Sequence, residues 1–310
     1  MKIRQRDRVL ITGGHGFLGQ HVLRTFLDET HCDLIITSRQ EKLQFTDISD
    51  EPRILAYHSL DVTDRLAVRD AISAFKPDII VHCAGMVDVD LAELERETAW
   101  KTNVRSVEYL IEAARKTDGR IVHISSDYIF DGLKTPYSES SSPNPLNYYG
   151  RTKLASENAL RSSGVNHCII RGACFYGTRV QRKPNFVLGV LSHLNTNQHM
   201  KVFDDLYAPP TLIDDIALAV VRAAEYRKSG IFHIAGPEMV SRFEFAKRIA
   251  SAFRLDTTLL EPVPYTTENR AERPRHSAFI TLKAQTELGL RITGIDEGLQ
   301  VMLRGIGDME

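Results

Sequence analysis

Short apolar runs alternate with longer stretches of helical periodicity through the first half of the chain. The runs at 8–12, 33–38, 53–57, 78–83, 120–125 and 166–171 are rich in Val, Ile and Leu, the mark of buried strands. Between them, apolar residues three and four apart predict helices near 17–29, 64–75, 91–116 and 148–162. Strand and helix in regular alternation mean parallel strands joined by crossovers. The expected fold is therefore α/β, a doubly wound parallel Rossmann sheet.

After about residue 172 the alternation fails. A helix is expected near 184–194, and Val202–Thr211 reads as strand then loop. Residues 213–227 look helical and 230–235 look like a strand, so the chain returns briefly to the sheet. The last stretch, 241–310, has a helix near 241–253, a proline-rich loop and a short C-terminal helix. The expected division is a dinucleotide-binding domain of 1–172 plus about 212–235. A smaller, discontinuous C-terminal substrate lobe takes about 173–211 and 236–310. A cleft between two lobes is a natural place for a small ligand.

Composition narrows the classes. With 310 residues, 43% hydrophobic and 25% charged, the chain is of ordinary soluble make-up, and its net charge is −1. That balance speaks against nucleic acid or a membrane surface as partner, because both need a basic face. No apolar run approaches a membrane span and the N-terminus has no secretory core, so a cytoplasmic protein is expected. Cysteines 32, 83, 168 and 174 lack CxxC spacing and read as reduced core residues. The 11 histidines form no metal-ligand motif, and no metal site is expected.

The candidate chemistry sits where strands end. Val9–Thr12 runs into Gly13, Gly16 and Gly19, with Phe17 and Leu18 opening the helix that follows. Gly13 suits a tight turn, Gly16 a close approach of backbone to pyrophosphate, and Gly19 close helix packing. Ser38-Arg39 ends the second strand, where an acid would select NAD. A guanidinium there can pair with a 2′-phosphate, favouring NADP(H) and leaving NAD(H) as the second cofactor; the alternative is a solvated arginine. Asp61-Val62, Ala84-Gly85 and Ser125-Ser126 fall at further strand ends and join the expected cofactor edge.

Tyr149 and Lys153 stand four apart, on one face of a helix. The lysine ammonium is expected to stabilise the phenolate and lower the tyrosine pKa, while Ser126 holds a carbonyl substrate. This trio moves a proton while a cofactor moves a hydride.

Longer blocks carry a family resemblance. Val89-Asp90-Leu91-Ala92-Glu93, Ser125–Gly132, Pro145–Lys153, Asp204-Asp205 with Ala208–Thr211, and Arg273-Pro274-Arg275-His276-Ser277 resemble segments of the extended short-chain dehydrogenase/reductases. Within that superfamily they look most like the dTDP-4-dehydrorhamnose reductases. The resemblance implies NADPH-dependent reduction of a nucleotide-activated 4-keto sugar, with Ser126, Tyr149 and Lys153 catalytic. It also implies Asn103 as a support for the lysine, against a plain helix-surface residue. Asp127, Asn185, Arg273 and Arg275 are implied on the substrate side, the arginines on a diphosphate, against a surface pair. Two departures stand out: Cys174 replaces a tryptophan expected against the sugar, and the C-terminal LPDW is missing. The alternatives are a sugar-nucleotide epimerase or dehydratase, or a non-catalytic NADP-binding regulatory partner like the β subunit of methionine adenosyltransferase. A homodimer is left open.

Overall fold

The computed structural model describes residues 7–42, 48, 50–178, 185–268 and 270–307. The chain begins with β1 (Arg8–Thr12), α1 (Phe17–Glu29), β2 (Asp33–Ser38), β3 (Ile54–Ser59) and α2 (Arg65–Phe75). It continues through β4 (Ile79–His82), α3 (Val89–Leu94), α4 (Arg96–Trp100), α5 (Ser106–Thr117) and β5 (Arg120–Ser126). Then α6 (Tyr148–Ser162) leads into β6 (His167–Gly172).

These strands lie in one parallel sheet of order β11-β6-β5-β4-β1-β2-β3, completed by β11 (Gly230–Ile234) pairing with β6. The winding reverses between β1 and β4, the crevice where doubly wound sheets bind ligands. Both faces of the sheet are covered, which is why its strands are continuously apolar rather than alternating. Val9, Ile11 and Ile36 meet Leu23 and Phe26 of α1 on one face, together with Val220 of α8 (Ile213–Glu225). Leu10, Ile35 and Ile80 meet Ile72 of α2 and Leu110 of α5 on the other.

A third core serves the smaller elements. β7 (Phe175–Tyr176), α7 (Phe186–Asn195), β8 (Met200–Phe203), β9 (Tyr207–Ala208) and β10 (Thr211–Leu212) precede α8. β12 (Val240–Ser241), α9 (Arg242–Ala252), β13 (Leu260–Val263), α10 (Leu282–Leu288) and α11 (Ile295–Gly307) follow β11. Val190, Leu194, Phe245, Ile249 and Leu299 pack together around the parallel pair β8–β13.

The expected single helix over 91–116 is broken. Glu95, at φ −108° and ψ 57°, separates α3 from α4, and a π-helical turn at Lys101–Arg105 precedes α5. The wider turn inserts a residue and aims Asn103 inward, a common device at functional sites. No helix among the described residues is long and apolar enough to cross a membrane.

Candidate active site

The glycine loop joins β1 to α1 at the point of reversal. Gly13 has φ +67°, and a Cβ there would lie 2.8 Å from the backbone of Ala84 at the end of β4. A Cβ on Gly19 would lie 2.2 Å from the Gly13 carbonyl oxygen, so Gly19 fits the helix against the loop itself rather than against the sheet. Phe17 and Leu18 turn their side chains to the core. Gly16 caps α1 without a side-chain bond, and the first turn holds no acid. The helix thus offers N–H groups and a positive dipole end to an anion.

At the end of β2, Ser38 is a buried hub. Its Oγ lies 2.8 Å from His15 Nδ1 and 2.8 Å from the Tyr57 hydroxyl, and it accepts from the Gln40 N–H at 3.1 Å. Arg39 beside it is exposed. Val62 is packed in the core, whereas exposed Asp61 accepts from the Thr63 N–H and hydroxyl at 2.9 and 2.8 Å. Ala84 and Gly85 continue from β4, and a Cβ on Gly85 would approach Asn103 Oδ1 at 3.2 Å and Lys153 Nζ at 3.9 Å.

Asn103 is buried, not on a helix surface. Its Oδ1 accepts from the Met86 N–H at 2.8 Å, and its Nδ2 donates to the Met86 carbonyl and to Thr152 Oγ1, each at 3.0 Å. It therefore clamps the loop after β4 to α6, the helix that carries Tyr149 and Lys153.

Asn147 starts α6 by accepting from the Gly150 N–H at 2.8 Å. Gly150 is there because space allows nothing larger: a Cβ would fall 2.1 Å from the Tyr128 carbonyl oxygen. This contact seats the helix on the turn after β5 and buries Tyr149 and Lys153 beside Ser126. Burial raises the Tyr149 phenol above its ordinary pKa, and a hydrogen bond with Ser126 pulls it back. The expectation that Lys153 lowers the phenol pKa is corrected: the opposing influence is the Ser126 hydroxyl, and burial wins. Burial likewise pushes Lys153 down to about 8, against the pull of Glu157 and Cys83.

Glu157, one turn further along α6, is fully buried and makes a two-pronged pair with Arg171 of β6 at 2.7 and 2.9 Å. Behind Lys153, His82 and His123 stack at 5.6 Å. Burial and the lysine charge hold His82 neutral, with a pKa of about 3.

Asp127 links two distant segments. It accepts from Ser126 Oγ at 2.9 Å and from the Ser277 hydroxyl of the C-terminal loop. Burial raises its carboxyl pKa, and both hydroxyls oppose the rise. The same loop is fastened by its two arginines. Arg273 donates to Asp90 Oδ2 at 2.8 Å and to the Tyr265 hydroxyl at 2.9 Å. Arg275 pairs with Asp205, and both guanidinium groups lie over the Tyr265 ring. The acids of three separate sequence blocks thus hold one loop against the site. Asn185, expected on the substrate side, caps α7: it accepts from the Leu188 N–H at 3.2 Å and donates to the Gly177 carbonyl at 2.8 Å.

The RmlD substrate binding domain family matches residues 7–306. The chain belongs to that family. The dTDP-4-dehydrorhamnose reductase of Aggregatibacter actinomycetemcomitans is 31% identical over 298 residues, covering 92% of this chain and 94% of the relative. Mouse methionine adenosyltransferase 2 subunit beta is 30% identical over 304 residues, covering 94% and 87%. The crystal structure of dTDP-4-dehydrorhamnose reductase from Bacillus anthracis in complex with NADP superposes with a TM-score of 0.84 at 26% identity. That match covers 97% of this chain and 99% of that one.

For this RmlD-family chain, sequence reasoning missed Arg242, the first residue of α9. Its backbone N–H bonds to the Leu206 carbonyl at 3.0 Å and its guanidinium lies 5.1 Å from the Phe186 ring. Its charge acts on Cys174, Tyr128 and Asp127. Ser241, which caps α9 through the Glu244 N–H at 3.0 Å, was the available local signal. That signal marks a helix start but says nothing of what its first residue touches.

Proposed function

We propose that the protein is an NADPH-dependent reductase of a nucleotide-activated 4-keto sugar, working in the cytoplasm. The observation that supports this most is the shared burial of Ser126, Tyr149 and Lys153 next to Gly85 and the glycine loop. The residues present fit a dinucleotide. Gly13, Gly14 and Gly16 bring no side chain to the loop, the start of α1 is uncapped by any side chain, and Lys153 and Asn103 border Gly85. Gly13, Gly16 and the N–H groups of Phe17 and Leu18 would hold the pyrophosphate, and Ser38 and Arg39 the adenosine ribose. NADPH, when bound, supplies the hydride.

The chain's own groups do the rest. Ser126 Oγ orients the substrate carbonyl, and Tyr149 donates its phenolic proton to the oxygen as negative charge grows there. A phenol kept protonated by burial is a proper acid for that step. Lys153, beside Gly85, is placed to engage the nicotinamide ribose. Asn103 holds α6 so that both side chains keep their places. A panel of 4-keto sugar nucleotides, assayed for NADPH consumption, tests the reading: at least one must be turned over.

The likeness to methionine adenosyltransferase 2 subunit beta supports a second reading, a non-catalytic NADP-binding partner subunit. Tight NADPH binding with no turnover across the whole panel would put that reading first.

A further inference from the structure

Arg171 of β6 and His233 of β11 lie side by side across the sheet, and Ser125 of β5 flanks Arg171 on its other side. Strand alternation turns all three towards α6, on the face where Ser156 of that helix meets His123 of β5 at 2.9 Å. Arg171 directs Nε and Nη2 at Glu157, and Nη1 at His233 Nε2, 3.2 Å away. The imidazole can accept there because its Nδ1 stands 3.1 Å from the Tyr137 carbonyl and so carries the proton. Burial and the Arg171 charge keep the ring neutral, with a pKa of about 3.

The chain of bonds runs on in both directions. Tyr137 is held to the C-terminal segment, its N–H donating to the Ala278 carbonyl at 2.9 Å and its carbonyl accepting from the Ile280 N–H at 2.8 Å. The Phe279 ring of that segment stacks on the imidazole at 4.0 Å, and Ser277, two residues earlier, bonds to Asp127 beside Ser126. At the other end Glu157 lies on α6, one turn beyond Lys153 and on the same side of the helix. His233 thus sits where the segment bearing Ser277 meets the ion pair that reaches the helix of Tyr149 and Lys153. Glu157, Arg171 and His233 are no more than 1% exposed. Removing the imidazole would leave a buried guanidinium N–H without its partner, which is costly.

We propose that His233 is a positioning residue for the reaction: by engaging Arg171 it holds Glu157, and through Glu157 the helix that carries Tyr149 and Lys153, in place beside Ser126. This rests on the reductase reading of the site. Glu157 also acts through its charge, since burial pushes the Lys153 ammonium down and the carboxylate opposes that. The other titratable groups around Lys153 are His82 and Cys83 at the end of β4, His123 on β5 and Tyr149 on α6 itself. Burial holds each of them uncharged, lowering the two histidines and raising the thiol and the phenol.

Two substitutions of His233 separate its two bonds. An asparagine amide can still donate to the Tyr137 carbonyl but falls short of Arg171, whereas a glutamine oxygen reaches the place of Nε2 and can still accept from Nη1. With an accepted keto sugar, His233→Asn should lower kcat by about 10- to 100-fold, the size expected when reacting groups are misplaced, with the sugar KM little changed. His233→Gln should keep most of the wild-type kcat, although both variants melt at a lower temperature. Equal losses of kcat in the two variants, or full kcat in a folded His233→Asn protein, would overturn the proposal. NADPH affinity against pH gives a readout that needs no sugar. In the wild type it should fall as Lys153 loses its proton at a pH of about 8. In Glu157→Gln that midpoint should move down by about one unit, as expected for the loss of a neighbouring opposite charge. An unmoved midpoint would end the chain at an ion pair that does not act on Lys153, and would also overturn the proposal. A wild type that turns over no keto sugar, with the midpoint moved by Glu157→Gln, counts against the reductase reading instead; with the midpoint unmoved, it counts against both.

Discussion

Asn103 and Thr152 lie on different helices, yet their side chains share a hydrogen bond of 3.0 Å. Thr152 in turn donates to the Tyr149 carbonyl at 2.7 Å. The π-helical turn that carries Asn103 is therefore coupled to the backbone of Tyr149.

Asn103→Ala should remove this coupling and leave the Met86 N–H and carbonyl without their side-chain partner. Leaving a buried polar group unsatisfied costs about 1–3 kcal/mol. Urea unfolding should show a loss of that size, and turnover should fall further than stability alone explains. Unchanged unfolding with unchanged turnover would strip Asn103 of its role.

Tyr149→Phe should abolish most turnover with an accepted keto sugar while NADPH binding stays close to wild type. Positioned acid catalysis contributes about 10²–10⁴-fold. Lys153→Met should weaken both turnover and cofactor affinity. Cofactor titration beside steady-state kinetics separates the two, and full activity of the Phe variant would mean that another group delivers the proton.

The buried Lys153 makes stability depend on pH in a definite direction. Its pKa is pushed from 10.5 to about 8 in the folded chain. Between those values the unfolded chain still holds a proton that the folded chain has released, so stability rises with pH across the window. Below about 8 both forms are protonated and the folded state bears the whole cost of the buried charge. Relative to wild type, Lys153→Met should thus be most favourable at pH 7.5 and lose ground steadily towards pH 10. A difference that stays flat would place the ammonium in contact with water.

Arg39→Asp should weaken NADPH binding by about 1.5–3 kcal/mol, the worth of a charged hydrogen bond, with little change for NADH. Titration of both proteins with both cofactors decides it. Equal losses would leave Ser38, with its His15 and Tyr57 contacts, as the ribose-side determinant.

Much of this was legible because local pattern and global fold agree. Val9–Thr12 could only be a buried strand, and the glycines after it only a tight passage into a helix. The sheet followed from repetition of that unit. The site was harder where a residue's job depends on partners far away in sequence. Arg273 and Arg275 look like free cations until Asp90 and Asp205, from other blocks, are seen to hold them. Asn103 sits in a pattern that reads as one unbroken helix, and only the π turn faces it inward. Tyr149 and Lys153 were found by spacing, but spacing does not report burial, and burial sets the pKa of both. Gly150 was visible as part of the Pro145–Lys153 block, but only the structure shows why: its missing side chain lets α6 touch the turn after Ser126.

Asp127 takes hydrogen bonds from Ser126 and Ser277, residues 151 positions apart, since 277 − 126 = 151. Ribosomal synthesis delivers them in that order. The glycine loop, β1 to β6 and α6 all leave the ribosome before the residue that completes the carboxylate's bonding. A nascent chain can therefore assemble its glycine loop and sheet early, while the Asp127 carboxylate beside Ser126 waits for Ser277 to complete its bonding.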